Sequence, residues 1–264
     1  MGTAPLPETA APLLDVRGVS LAFKGVKAIS DLSFSVARGE ICALIGPNGA
    51  GKSSLLNVLN GVYVADAGEV VFRGEHFREI KPIAAARRGI ARTFQNNALF
   101  KKMSTLDNVL TGLARHTRSG LLAQAFRLPG ARREEARLRE QAEAILDFLD
   151  LQPYRDVTVG SLAYGVQKRI ELARALVSSP TLLLLDEPLA GMNAQEKEEM
   201  SEFVRDINRD LGITVVLIEH DVGIVLGLSD HVVVLDYGRK IGDGTPDEIR
   251  TNADVITAYL GAVH

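Results

Sequence analysis

The chain is predicted to be α/β, with a mostly parallel sheet, an antiparallel β subdomain at its start and an inserted helical subdomain. Three observations carry this. Short apolar runs at Ile41–Ile45, Leu182–Leu185, Ile213–Ile218 and His231–Leu235 alternate with helical sequence, the pattern of strands covered on both faces. A glycine-rich loop follows the first run and leads into helix-forming Ser54 to Leu59. From about Asn96 to Pro153 the apolar periodicity turns helical.

Taken in order, Leu14 to Phe23 and Ala28 to Val36 open the fold as two β runs, and the alternation of Leu32, Phe34 and Val36 marks half-buried strands. Ile41–Ile45 then delivers the loop, and Glu69 to Phe72 and Gly89 to Phe94 are further strand candidates. Leu138, Ala142, Ile145, Leu146 and Leu149 fall on one face of an amphipathic helix. Within the segment 111–133, Ser119 to Phe126 reads either as a docking helix or as a lid over the helical lobe's own core. The organisation expected is a tail over 1–12 and one domain over 13–264. In that domain 13–95 and 180–264 form one lobe and 96–179 a helical insertion.

The 264 residues carry a net charge of −3, which provides no electrostatic footprint for nucleic acid. Arg132, Arg133, Arg137 and Arg139 interleave with Glu134, Glu135 and Glu140, as on a solvated helix face. Cys42 is the only cysteine, so no intrachain disulfide forms and a reducing compartment fits. No stretch approaches the roughly 20 apolar residues of a membrane helix. The first dozen residues have neither the basic nor the apolar region of a signal peptide. Function at a membrane would require other chains to span it.

The loop reads Gly46-Pro47-Asn48-Gly49-Ala50-Gly51-Lys52-Ser53, followed by Ser54. Between a strand and a helix this is a phosphate-binding loop, and the fold class becomes a RecA-like P-loop NTPase. Its backbone N–H groups and helix dipole converge on phosphates, Lys52 adds positive charge, and Ser53 offers a hydroxyl to Mg²⁺. Asp186 and Glu187 end the strand of four leucines, 182–185. Adjacent residues on a strand point in opposite directions, so their roles differ. Asp186 suits the Mg²⁺ shell, through water, and Glu187 suits polarising the attacking water. His220, after another apolar strand, is either structural or a hydrogen-bond donor to a γ-phosphate. Gln95 ends Arg-Thr-Phe-Gln, where it would orient water or Mg²⁺.

In this order and spacing the pieces resemble the nucleotide-binding subunits of ABC transporters, across the chain after residue 12. The resemblance implies ATP with Mg²⁺ as ligands. It makes Gly46–Ser53 the Walker A loop, Gln95 the Q-loop, Asp186 and Glu187 the Walker B pair with its catalytic Glu, and His220 the H-loop switch. Phe23 matches the aromatic that stacks on adenine. The family's Leu-Ser-Gly-Gly-Gln signature aligns with Leu162-Ala163-Tyr164-Gly165-Val166, where only Leu162 and Gly165 survive. Ala163 lacks the serine hydroxyl that reaches a γ-phosphate on the partner subunit. In the D-loop, Asn193 stands where Asp is usual.

Leu-Ala-Tyr-Gly, the extended 111–133 segment, Ile-Glu-His-Asp and the ending Gly-Thr-Pro-Asp-Glu-Ile with Ala-Tyr-Leu-Gly look like one subfamily. It is the ATP-binding subunit of branched-chain amino acid, or Liv-type, importers, with relatives serving urea, amides and aromatic acids. The partners implied are a second ATP-binding subunit in a heterodimer, transmembrane permease chains, and indirectly a periplasmic solute-binding protein. The location implied is peripheral, on the cytoplasmic face of the inner membrane. A soluble ABC ATPase without a transport partner is the alternative.

Overall fold

The computed structural model describes residues 11–93, 99–114 and 128–260. The expected tail lies outside these apart from its last two residues. The segment Ser119–Phe126 lies wholly outside them, as do Phe94 and Gln95.

The chain opens with a hairpin of β1 (Leu14–Phe23) and β2 (Val26–Val36), then β3 (Ile41–Ile45), β4 (Ala67–Phe72) and β5 (Glu75–Phe77). Strands β6 (Ile90–Arg92), β7 (Leu182–Asp186), β8 (Thr214–Ile218), β9 (His231–Asp236) and β10 (Arg239–Gly244) follow. An antiparallel sheet has the order β2-β1-β4-β5, and a six-stranded sheet the order β10-β9-β3-β8-β7-β6. In the second sheet β9, β3, β8, β7 and β6 are parallel, and β10 caps one edge antiparallel. The α/β class, the mostly parallel sheet and the antiparallel β region are as expected from sequence. Strand β6 begins at Ile90 rather than Gly89, because Gly89 sits in a turn at φ +94°. The loop helix begins at Lys52 rather than Ser54.

The central strands read as continuous apolar runs because both faces are covered. Ala43, Leu183, Leu185, Val215 and Leu217 face one apolar cluster; Cys42, Leu182, Leu184, Val216 and Ile218 face the other. The second cluster takes in the antiparallel sheet and Leu55, Leu56 and Leu59 of the helix Lys52–Leu59. The first runs without a break into the inserted helices Thr105–Thr111, Pro129–Phe148 and Tyr164–Leu176. Leu138, Ala142, Leu146 and Leu149 are buried there, as the periodicity predicts, and Ile145 is half-buried. The inserted segment therefore shares its core with the sheet and is held to it by apolar packing.

Register sets the functional edge. Leu44 and Asp186 both pair with Ile218, and Ile45 pairs with Val234. The carboxyl ends of β3, β7 and β8 thus stop together, and three loops emerge side by side, where open α/β sheets bind ligands. At the opposite edge His231 lies between Glu40 (3.3 Å) and Asp243 (2.6 Å), with Lys240 also on Asp243. The Cys42 sulfur, the Glu40 carboxylate and Asp243 push the His231 imidazole up to about 11, which favours its charged form beside the two carboxylates.

Candidate functional site

The phosphate loop is shaped by backbone crowding. A Cβ on Gly46 would meet Leu235 O at 2.0 Å, and one on Gly51 would meet Ala28 O at 2.3 Å. Only glycine lets β9 and β2 approach this closely. The turn after β9 is tied to the loop by Gly238 N–H donating to Ala50 O at 3.0 Å. Lys52 folds back over the loop, donating to Gly46 O (2.6 Å) and Pro47 O (3.0 Å). Burial pushes its ammonium below the ordinary lysine value, opposed by the charges of Glu187 and Asp186. A cation held on a stiff loop with its charge incompletely hydrated is suited to a polyanion.

A cavity of about 290 Å³ opens over this loop, lined by Ala28, Asn48 to Ser54, Glu187 and His220. Glu187 and His220, expected from sequence to act with the loop, line the same cavity as the loop. His220 Nε2 lies 2.8 Å from Glu187 Oε1. Glu187 has φ +50°, a conformation side chains other than glycine adopt at a cost, and one that collects at functional sites. Asp186 instead is buried, 2% exposed, behind the cavity wall. The two acids differ in environment as the strand geometry predicts.

The other predicted residues lie elsewhere. Phe23 is not among the cavity-lining residues; it is partly exposed, with its ring edge-on to Tyr63 at 5.0 Å. Leu162, Ala163, Tyr164 and Gly165 do not reach the cavity within this chain. Ala163 is the N-cap of the helix Tyr164–Leu176 and gives it no side-chain cap. The Tyr164 ring packs on the D-loop, where a Cβ on Gly191 would lie 3.1 Å from it. Asn193 caps the helix Ala194–Leu211 in a reciprocal capping box with Glu196, a role that needs only a side-chain acceptor oxygen and that an Asp would fill equally well. Gln95 lies outside the described residues.

Three residues escaped the sequence reading. Arg92, at the end of β6, donates to Asp186 Oδ2 (2.8 Å) and to Asn57 Oδ1 (2.6 Å) of the loop helix. Its only signal was a basic residue closing a buried strand just before Gln95. Glu219 is 4% exposed and accepts from the Leu189 and His220 backbones; burial raises its carboxyl. Tyr63 supplies the ring against Phe23. A separate open groove of about 710 Å³ runs between the sheet and the inserted helices, lined by Pro82, Ile83, Phe100, Gly112 and Ala175 among others.

A strand–loop–helix phosphate site with a carboxylate–imidazole pair over it defines a P-loop ATPase. An ABC transporter family profile matches residues 29–190, and one for branched-chain amino acid ATP-binding cassette transporters matches 239–264. The chain is 39% identical to BraF of Pseudomonas aeruginosa and 37% to LivG of Escherichia coli. Each alignment covers 95% of this chain and 98% of the relative. Both relatives are high-affinity branched-chain amino acid transport ATP-binding proteins. Among solved structures, an ADP conformation of an ABC transporter's ATP-binding cassette superposes with TM-score 0.83 at 33% identity, covering 96% of this chain and all of that one. A nucleotide-free cassette superposes at 0.82, with 32% identity, covering 94% and 99%. The chain belongs to the ABC transporter family and is one of its ATPases. Among the described residues no helix is long and apolar enough to cross a membrane.

Proposed function

We propose that this chain hydrolyses ATP to power import of branched-chain amino acids. One observation carries the catalytic part: Glu187 and His220 meet at 2.8 Å in the cavity that the phosphate loop lines. Lys52 and the loop N–H groups bind the β- and γ-phosphates. Glu187 polarises the attacking water, and His220 orients Glu187 and donates to the γ-phosphate. Phe23, with Tyr63 at its edge, stacks on adenine.

Asp186 Oδ1 is buried with no hydrogen-bond partner among the described residues. An orphaned carboxylate oxygen beside a phosphate loop fits the water shell of Mg²⁺, with Ser53 and Gln95 as the other holders. Asp186, Ser53 and Gln95 would hold the ion together with the bound nucleotide, since no cluster of three His, Cys, Asp or Glu lies among the described residues. Bound Mg²⁺ neutralises charge on the β- and γ-phosphates.

The helix Tyr164–Leu176 starts without a side-chain cap, so its first N–H groups are available to an anion. That supports a sandwich in which Leu162 to Gly165 face ATP on a second ATP-binding subunit. The groove along Ile83 and Phe100, 69% and 53% exposed, suits an apolar element of a permease. The assignment of 13–95 and 180–264 to a nucleotide lobe and 96–179 to a helical lobe goes with this reading. So does a peripheral place on the cytoplasmic face of the inner membrane, with a periplasmic binding protein acting through the permeases.

The branched-chain solute rests on the two relatives and on the C-terminal match. Tagged chain, purified from its native membranes in mild detergent and reconstituted in vesicles, tests it. Polytopic permeases should co-purify, and ATP should drive labelled leucine uptake above that of urea, amides or aromatic acids. Recovery with no membrane chain would return the soluble ATPase reading.

A further inference from the structure

Strand pairing between β7 and β8 ends at Asp186 and Ile218, with Glu187 N–H donating to Ile218 O at 3.0 Å. Beyond that point the ladder is continued by a side chain. Glu219 Oε1 accepts from Leu189 N–H at 2.8 Å, and Glu219 Oε2 accepts from His220 N–H at 3.3 Å. Pro188 has no N–H, so Leu189 carries the first backbone donor after Glu187. One buried carboxylate therefore grips both segments just past the Glu187–His220 contact. An apolar residue would fill this space without the desolvation cost of a buried charge. The cost is matched by a geometric return: Glu187 sits at φ +50°, and its loop must be held from outside.

We infer that Glu219 is a positioning residue for ATP hydrolysis, setting the Glu187–His220 pair by clamping the Leu189 and His220 backbones. The inference rests on the catalytic roles proposed for Glu187 and His220. Its expected signature is on turnover and on the His220 ring more than on nucleotide affinity, since the hydrogen bonds of Glu219 go to Leu189 and His220 and not to the phosphate loop.

Two readouts test it in the full chain. The sequence has five histidines, so imidazole NMR of ¹⁵N-His-labelled protein resolves His220, assigned by its loss in His220→Ala. Glu187→Gln defines the ring signature of an altered pair. Glu219→Gln keeps the shape and one acceptor, and Glu219→Ala keeps neither. The His220 ring should move toward the altered signature in both, further in Ala. Turnover should fall ~tenfold or more in Glu219→Ala, as for a lost charged hydrogen bond, with KM within ~twofold. In the His220→Ala background Glu219→Ala should cost less than in wild type, because only the Leu189 arm of the clamp is left to act on Glu187. An unmoved His220 ring, or an equal loss in both backgrounds, overturns the clamp. If Glu219→Ala fails to fold, Glu219→Gln carries both readouts. Full activity of His220→Ala would instead overturn the role given to His220, a failure separate from that of Glu219.

Discussion

Arg92 Nη2 lies 2.8 Å from Asp186 Oδ2, with the two side chains 7% and 2% exposed. The same guanidinium reaches Asn57 of the loop helix, so one cation joins β7, β6 and the phosphate-binding segment. It also divides the carboxylate: Oδ2 is taken, and Oδ1 has no hydrogen-bond partner among the described residues. Away from water such a pair is favourable only where both groups keep further hydrogen bonds; the guanidinium has one to Asn57, whereas Asp186 Oδ1 has none among the described residues.

Removing the cation should strand a buried charge. Arg92→Ala is expected to lose about 3–5 kcal/mol of stability, the range for breaking a buried pair. Arg92→Lys should recover only part of it, since a point ammonium does not span two acceptors. Urea unfolding measures both. Wild-type stability in Arg92→Ala would show that the pair contributes nothing net.

The phosphate loop and the carboxylate over it should separate binding from chemistry. Lys52→Ala deletes the buried cation and should abolish ATP binding. Glu187→Gln should bind ATP normally, hydrolyse it at least ~100-fold more slowly, and accumulate an ATP-bound dimer. Fluorescent-nucleotide titration and phosphate release read the two steps. Equal hydrolysis by Glu187→Gln and wild type would remove Glu187 from its role.

These residues were legible because their signals are local. Gly46–Ser53 is one unbroken string, and Asp186 and Glu187 end an apolar run. Arg92 and Glu219 were not, because their partners lie 94 and 30 positions away. A charged residue has no sequence mark for burial. Strands β5 and β10 escaped for a related reason: edge strands bury too little to show alternation, and Glu75–Phe77 has no fully buried residue. Asn193 read as a departure from a family pattern, while its local chemistry, Asn with Glu three positions on, is a helix start.

The ion cluster at the far edge predicts a pH dependence. His231 is raised from 6.5 to about 11, so the folded state holds its proton more tightly than the unfolded chain. Its contribution is fully present below the unfolded value, declines as pH rises above it, and is gone once pH passes about 11. Relative to His231→Gln, wild type should therefore lose its melting-temperature advantage steadily between neutral pH and that limit. A gap independent of pH would mean that His231 is neutral in the fold.

The Ala163 N-cap predicts unequal ATP sites. If the signature faces a γ-phosphate on a second subunit, Ala163 lacks one charge-assisted hydrogen bond, worth roughly 1.5–3 kcal/mol. The competing arrangement is that Tyr164, 44% exposed beside Ala163, or a backbone N–H supplies the missing contact. A homodimer would carry the defect twice. A heterodimer with a serine-bearing partner would carry it once, at the partner's phosphate loop, and leave this chain's Lys52 and Glu187 at the better site. Glu187→Gln should then disable transport more than the matching change in the partner. Ala163→Ser should raise turnover at the partner's site by ~tenfold or more, the equivalent of that hydrogen bond. Transport and ATP turnover for each single-site heterodimer decide the matter: equal losses, or a fully active homodimer of this chain, would show that Tyr164 or a backbone N–H stands in for the missing hydroxyl.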